Sequence, residues 1–179
     1  SFLRGDYDQP FADDAAAPMP GLTPGATVEA ALTSLRELND PEPSHGAAVL
    51  LRFCAPLSRG ERWGGSESID EWKELLRGAL TPTMLARRIR ASQHFSGLLD
   101  WERLDVTEGA YTGRKDLVGL PSIAFVSAAL YFDEGNEPTL IQFKLRRIGG
   151  VWLIDSVRRA QKQLFVGDDD DDSPNSVWQ

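Results

Sequence analysis

The fold is decided by residues 121–159, PSIAFVSAALYFDEGNEPTLIQFKLRRIGGVWLIDSVRR. Three runs in it, 121–132, 138–148 and 151–159, are rich in Val, Ile, Phe, Tyr and Trp, and turn residues separate them. Such runs predict antiparallel strands. Gly149-Gly150 is a two-residue connection suited to a primed hairpin turn. Pairing across it sets Ile148 opposite Val151 and Lys144 opposite Asp155. One face then carries Ile141, Phe143, Leu145, Trp152 and Ile154, with Arg147 beside Trp152. The other carries Gln142, Lys144 and Arg146 with Leu153 and Asp155. A one-residue slip would reverse every side chain, so this pattern sets the register and makes the first face the core side. Asp155 is thereby expected to point away from the interior, as a surface ion pair with Lys144 worth about a few tenths of a kcal/mol.

The run 121–132 is apolar on both faces, with Ile123, Phe125, Ala129 and Tyr131 on one and Ala124, Val126, Leu130 and Phe132 on the other. An antiparallel strand with a wet face should alternate. This one is expected to be central and covered on both sides, by a partner chain or by the protein's own residues 1–25. Upstream, period-two patterning is weaker, over 99–106 and 109–118. Before Ser96 the period is helical. Val28, Ala31, Leu32, Leu35 and Leu38 predict a helix over 27–39, stopped at Pro41. Ser44 is the expected cap of a second helix over 45–55, leaving His45 exposed. Ser68 and Glu71 form a capping-box pattern ahead of Ile69, Trp72, Leu75 and Leu76, and a shorter helix follows over 83–91. Helices first and strands last predict an α+β fold, three to four N-terminal helices packed on a curved antiparallel sheet.

Charge and composition bound the function. The 179 residues carry a net charge of −8 with 41% hydrophobic residues, enough for about one domain with a sizeable core. Residues 1–20 set Arg4 against four Asp, and residues 163–179 hold five Asp and no base. That leaves eighteen acids against eighteen bases between them. The organisation expected is an extended arm (1–25), a folded domain (26–162) and an acidic tail (163–179). A basic footprint is missing, which disfavours nucleic acid as a partner. No run of 18 apolar residues is present, so no transmembrane segment is expected. A single Cys allows no internal disulfide, and two His with one Cys are too few for a dedicated zinc site. The sequence contains neither a dinucleotide-binding glycine pattern nor a P-loop, and no cofactor is expected.

Three helices followed by a meandering sheet that ends in Gly150, Trp152, Ile154, Asp155, Val157 and Arg158 resemble the nuclear-transport-factor-2-like superfamily, the α+β cone. Leu35 to Asp40, then Ser44, His45 and Gly46, then Phe53 to Pro56, resemble an uncharacterised bacterial and plant or algal branch of it. The resemblance covers about 26–160. It implies a cone-shaped pocket between helices and sheet. Some relatives are isomerases or dehydratases; many others only bind or dimerise. A plastid location follows from the same resemblance and the absent initial Met; otherwise a soluble intracellular protein is expected.

Trp72, His94, Tyr111 and Trp152 are the candidates for lining such a pocket, and Trp72 and Trp152 are also expected in the main core. Isomerase-type members need an Asp base with Tyr or acid donors inside the cone. The core-facing strand residues here are aliphatic and aromatic, so no catalytic residue is assigned. The candidates for partner contact are the arm side chains Phe2, Tyr7 and Phe11, the loop residues Arg59, Arg62 and Trp63, the outer-face residues Lys144, Arg146 and Asp155, and the tail residues Phe165 and Trp178. Cys54 is expected to be a small buried hydrophobe, and Arg87, Arg88 and Arg90 the solvated face of a helix. The function expected is a non-catalytic interaction or scaffold subunit with protein partners, including a second copy bound through the sheet. The alternatives are a small-molecule isomerase or cyclase and a hydrophobic-ligand binder.

Overall fold

The computed structural model describes residues 16–57, 70–115 and 119–160. Among these described residues, four helices precede a four-stranded antiparallel sheet of order β1-β2-β3-β4, an α+β architecture. The strands are β1 (Arg103–Thr112), β2 (Ile123–Tyr131), β3 (Thr139–Ile148) and β4 (Val151–Arg159). The helices are α1 (Pro24–Arg36), α2 (His45–Arg52), α3 (Glu71–Arg77) and α4 (Pro82–Ala91), with a 3-10 turn over Ser96–Leu99. The two weak runs expected over 99–118 are one strand. It is interrupted by a bulge, because the register shifts between Glu108, opposite Val126, and Tyr111, opposite Ala124.

Helix starts follow side-chain capping, with two departures from expectation. Thr23 caps α1 by accepting from the Ala26 amide, and Thr81 caps α4 by accepting from Met84. The cap of α3 is Asp70, whose carboxylate accepts from Lys73, so the helix begins after Ser68 and not at it. Ser44 sits at the α2 start but makes no side-chain cap bond, and its φ is +61°. Its own amide donates instead to the Asn39 side chain at 3.0 Å. This tight entry turns His45 inward, where it is buried rather than exposed. Gly46 crosses α1 so closely that a Cβ there would lie 1.9 Å from the Ser34 carbonyl oxygen.

The core lies between the helices and one face of the sheet. Ala124, Val126, Ala128 and Leu130 of β2 are buried on that face, beside Ile141, Phe143 and Leu145 of β3. Trp152 and Ile154 of β4 complete it. From the helical side it receives Leu32, Leu35, Leu50, Trp72, Leu85 and Ile89. Trp72 meets Phe95 edge-to-face at 5.4 Å. Gly149 and Gly150 both have positive φ, +58° and +82°, as a primed hairpin turn requires.

The β3–β4 register is the expected one from Ile148/Val151 to Leu145/Ile154, and there it shifts. Lys144 is paired with Ser156, not with Asp155, and Asp155 is the extra residue. A bulge of this kind turns a side chain out of alternation. Four successive residues, Ile154 to Val157, are therefore buried. The open edge of β4 is met by the chain after α2. Ile154 donates to the Phe53 carbonyl and Ala55 donates back to the Ile154 carbonyl, both at 2.7 Å.

Candidate functional site

Four places were expected to carry function: the interior, the sheet's outer face, the loop after Pro56 and the two terminal segments. Phe2, Tyr7, Phe11, Arg59, Arg62, Trp63, Phe165 and Trp178 lie outside the described residues.

The four pocket candidates do not assemble into one site. Trp72 is buried in the core. His94 is half-exposed, and its Nδ1 contacts the Glu71 carboxylate at the α3 start. Tyr111 and Trp152 do meet, edge-to-face with ring centroids 6.0 Å apart. They belong to β1 and β4, which would be about 14 Å apart in a flat sheet. Their contact measures how strongly the sheet curls at this end. It also closes that end with two aromatic rings, with the Arg147 guanidinium 5.9 Å from the Trp152 ring. An open depression of about 430 Å³ lies elsewhere, at the α1 C-terminus, lined by Arg36, Glu37, Asn39, Asp40, Arg90 and Leu99. Its mixed charges balance, and Arg36 is already engaged by the Trp101 carbonyl at 2.6 Å.

Beside Tyr111 stands a carboxylate that the sequence reading did not single out. Glu108 accepts from the Gly25 amide at the α1 N-terminus at 2.8 Å, and from the Tyr111 hydroxyl at 2.8 Å. A carboxylate at a helix N-terminus is favoured by the unpaired amides and the helix dipole. The Gly25 bond accordingly lowers the Glu108 pKa, and burial together with Glu108 raises that of Tyr111. These shifts hold Glu108 ionised and Tyr111 protonated. A general base needs a pKa near the working pH, and the pair is moved away from that condition. It is a cap that ties α1 to the edge of the sheet. The signal was present in the sequence only as a carboxylate three residues before a Tyr, without the bulge that brings both to one face.

The polar cluster on β4 is denser than expected. Asp155 is not a surface residue: its side chain is 2% exposed. Its Oδ1 accepts from Arg146 Nε at 2.8 Å, and Lys144 Nζ lies 3.8 Å from Oδ2. Arg146 also donates to the Pro56 carbonyl, at 3.2 Å. Next to it, Ser156 Oγ donates to Asp70 Oδ2 at 2.9 Å, and Lys73 Nζ lies 3.9 Å from the same oxygen. The cluster joins β3, β4, the α2 exit and the α3 cap. Asp155 Oδ1 is committed to this network, while the enclosed Oδ2 accepts no hydrogen bond and has Lys144 Nζ at 3.8 Å. Arg88 is likewise not a purely solvated side chain. It donates to the Leu75 and Glu74 carbonyls and so ties α4 to α3.

Cys54 lies beyond α2, in the bridge to Ile154, and burial pushes its thiol up to about 12. Such a thiol is a poor nucleophile. Among the described residues no group of three or more His, Cys, Asp or Glu is placed to hold a metal ion. No helix of the described residues is long and apolar enough to cross a membrane. No protein-family model matches the chain, and no curated protein or solved structure matches it.

Proposed function

We propose that this chain is a non-catalytic interaction subunit of a larger protein assembly. The observation that supports it best is the filling of the space where a cone-type enzyme would hold its substrate. Trp72, Phe53, Phe95 and Phe143 are fully buried in the core, and Glu108 and Asp155 are engaged as a helix cap and an ion pair. A binding role is left to the surface. The outer face of β2 presents Ile123, Phe125, Ala129 and Tyr131, all half-buried. The neighbouring strand contributes Leu140, which is exposed, with Gln142, Lys144 and Arg146. An apolar centre ringed by polar and cationic groups is the composition of a protein–protein interface. A plastid location belongs to this proposal on the resemblance alone.

The test is copurification at fixed stoichiometry from the native source, paired with a thermal-shift screen of small apolar and carboxylate-bearing ligands. A stoichiometric protein partner and no ligand stabilisation are expected. A ligand that raises the midpoint in proportion to its concentration would overturn the reading.

A further inference from the structure

The two edges of the sheet differ. The β4 edge is met by the chain at 53–55, through backbone bonds to Ile154. Among the described residues β1, the other edge, pairs with β2 alone. Eight of its ten residues are exposed. Gly109 and Ala110 are among them although they carry almost no side chain, so it is backbone that faces water there. Ten residues extend roughly 33 Å. A long edge presents a row of amides and carbonyls to any other strand, and is commonly guarded by Lys, by Pro or by being short. β1 contains neither Lys nor Pro. Its outward charges, Arg103 and Asp105, lie 3.7 Å apart and offset each other, and Glu108 is held by the Gly25 amide. The bulge comes after Glu108 and leaves 103–108 as an uninterrupted run.

Charge decides which strand fits this edge. Residues 100–105 set three acids, Asp100, Glu102 and Asp105, against Arg103. Tyr131 stands opposite Arg103, so the β2–β3 connection, 132–138, lies at the same end, and it adds three acids and no base. The start of β1 thus carries a net charge of −5. Just past the other end come Arg114 and Lys115, followed by Asp116, a net of +1. An antiparallel neighbour lays its end beside the start of β1 and its start beside the end. A second copy of β1 in that direction sets −5 against +1 twice, whereas a parallel copy sets −5 against −5. A strip that complements itself about a two-fold axis is what a closed dimer requires.

We infer that two copies of this chain pair antiparallel along the 103–108 edge of β1 and so join their sheets edge to edge. Main-chain hydrogen bonds supply the attachment, as in other strand additions, and the opposite charges of the two ends set the direction. The contact uses the edge of the sheet and not its outer face. It therefore goes beyond the proposed role in a larger assembly, and it forms whether or not a second polypeptide binds.

The experiment uses the full chain. Light scattering across a concentration series should show the mass rising from one chain to two, and amides of 103–108 should exchange with deuterium more slowly in the dimer than in the dilute monomer. Arg114→Glu with Lys115→Glu should weaken the dimer at least tenfold, because acid then meets acid at both ends. Asp100→Lys with Glu102→Lys and Asp105→Lys should do the same with bases. All five side chains are exposed, so both variants should keep the wild-type circular dichroism. Mixed in equal amounts, the two variants should dimerise with each other, since each end again meets its opposite. A mass of one chain at every concentration would overturn the inference, as would a dimer that both variants leave unchanged. Slowed exchange on β2 and β3 without β1 would overturn it in favour of face-to-face pairing. Slowed exchange of 103–108 that appears only when another protein is added would overturn it in favour of a strand from that protein.

Discussion

Asp155→Ala separates a surface ion pair from an enclosed one. An exposed pair contributes about 0.2–1 kcal/mol. Breaking a buried pair by removing one partner costs about 3–5 kcal/mol, because the remaining charge stays enclosed. The structure falls between these limits. The carboxylate is 2% exposed, but the Lys144 and Arg146 side chains are 17% and 27% exposed, so water reaches the cations once the carboxylate is gone. Arg146 keeps its bond to the Pro56 carbonyl. A loss of about 2–3 kcal/mol is expected, a fall in the thermal midpoint on the order of 6–10 °C for a chain of this size. Urea unfolding by tryptophan fluorescence reads it as a lower midpoint at unchanged slope. The triple variant Asp155→Leu, Lys144→Met, Arg146→Met should recover most of the loss, since a buried ion pair is replaceable by apolar groups of similar volume. A loss below about 0.5 kcal/mol for Asp155→Ala would refute the bulge geometry and restore the surface-pair expectation.

Other outcomes follow from single contacts. Trp152→Ala should cost about 3–5 kcal/mol by core truncation, and an unchanged thermal midpoint would show that the β3–β4 register is wrong. Gly46→Ala should destabilise by about 1–3 kcal/mol through overpacking of the α1–α2 crossing, measured by the same urea titration; wild-type stability would mean the helices can separate there freely. The Glu108 pKa is lowered by the Gly25 amide, so its contribution is present above the ordinary glutamate range and lost as pH falls through the folded value. Glu108→Gln should therefore flatten the acid limb of the stability–pH curve, and an acid limb identical to wild type would argue against the cap. Cys54, with its thiol pushed to about 12, should react with a disulfide reagent at pH 8 many-fold more slowly in the native protein than in urea.

The strands were legible because their signal is local. Alternation in 121–159 and the Gly149-Gly150 turn are readable without knowing what packs against them, and the ends of β2, β3 and β4 fall within two residues of expectation, whereas those of β1 miss by four and six. Asp155 was misplaced for the opposite reason. A bulge leaves no mark in the alternation, and its cause is non-local: the chain at 53–56 pairs with Ile154 and presents the Pro56 carbonyl to Arg146. His45 failed likewise. Its burial depends on the backbone turn at Ser44 and the Asn39 side chain, not on the period of the helix it opens. Glu108 went unread because its partner, the Gly25 amide, is 83 residues away. The contact of Tyr111 with Trp152 depends on sheet curl, which the twist of strands permits but a sequence does not quantify. The apolar core face of β3 and β4 was readable from their alternation, but where Trp72, His94, Tyr111 and Trp152 stand relative to one another was not.

The most direct test of the account is the mass of the endogenous protein, isolated under mild conditions and measured by light scattering behind size exclusion, with its components identified. An interaction subunit predicts a complex well above the mass of its own polypeptide, with a second polypeptide in fixed ratio. A homogeneous particle of the chain's own mass, carrying a bound small molecule, would contradict it.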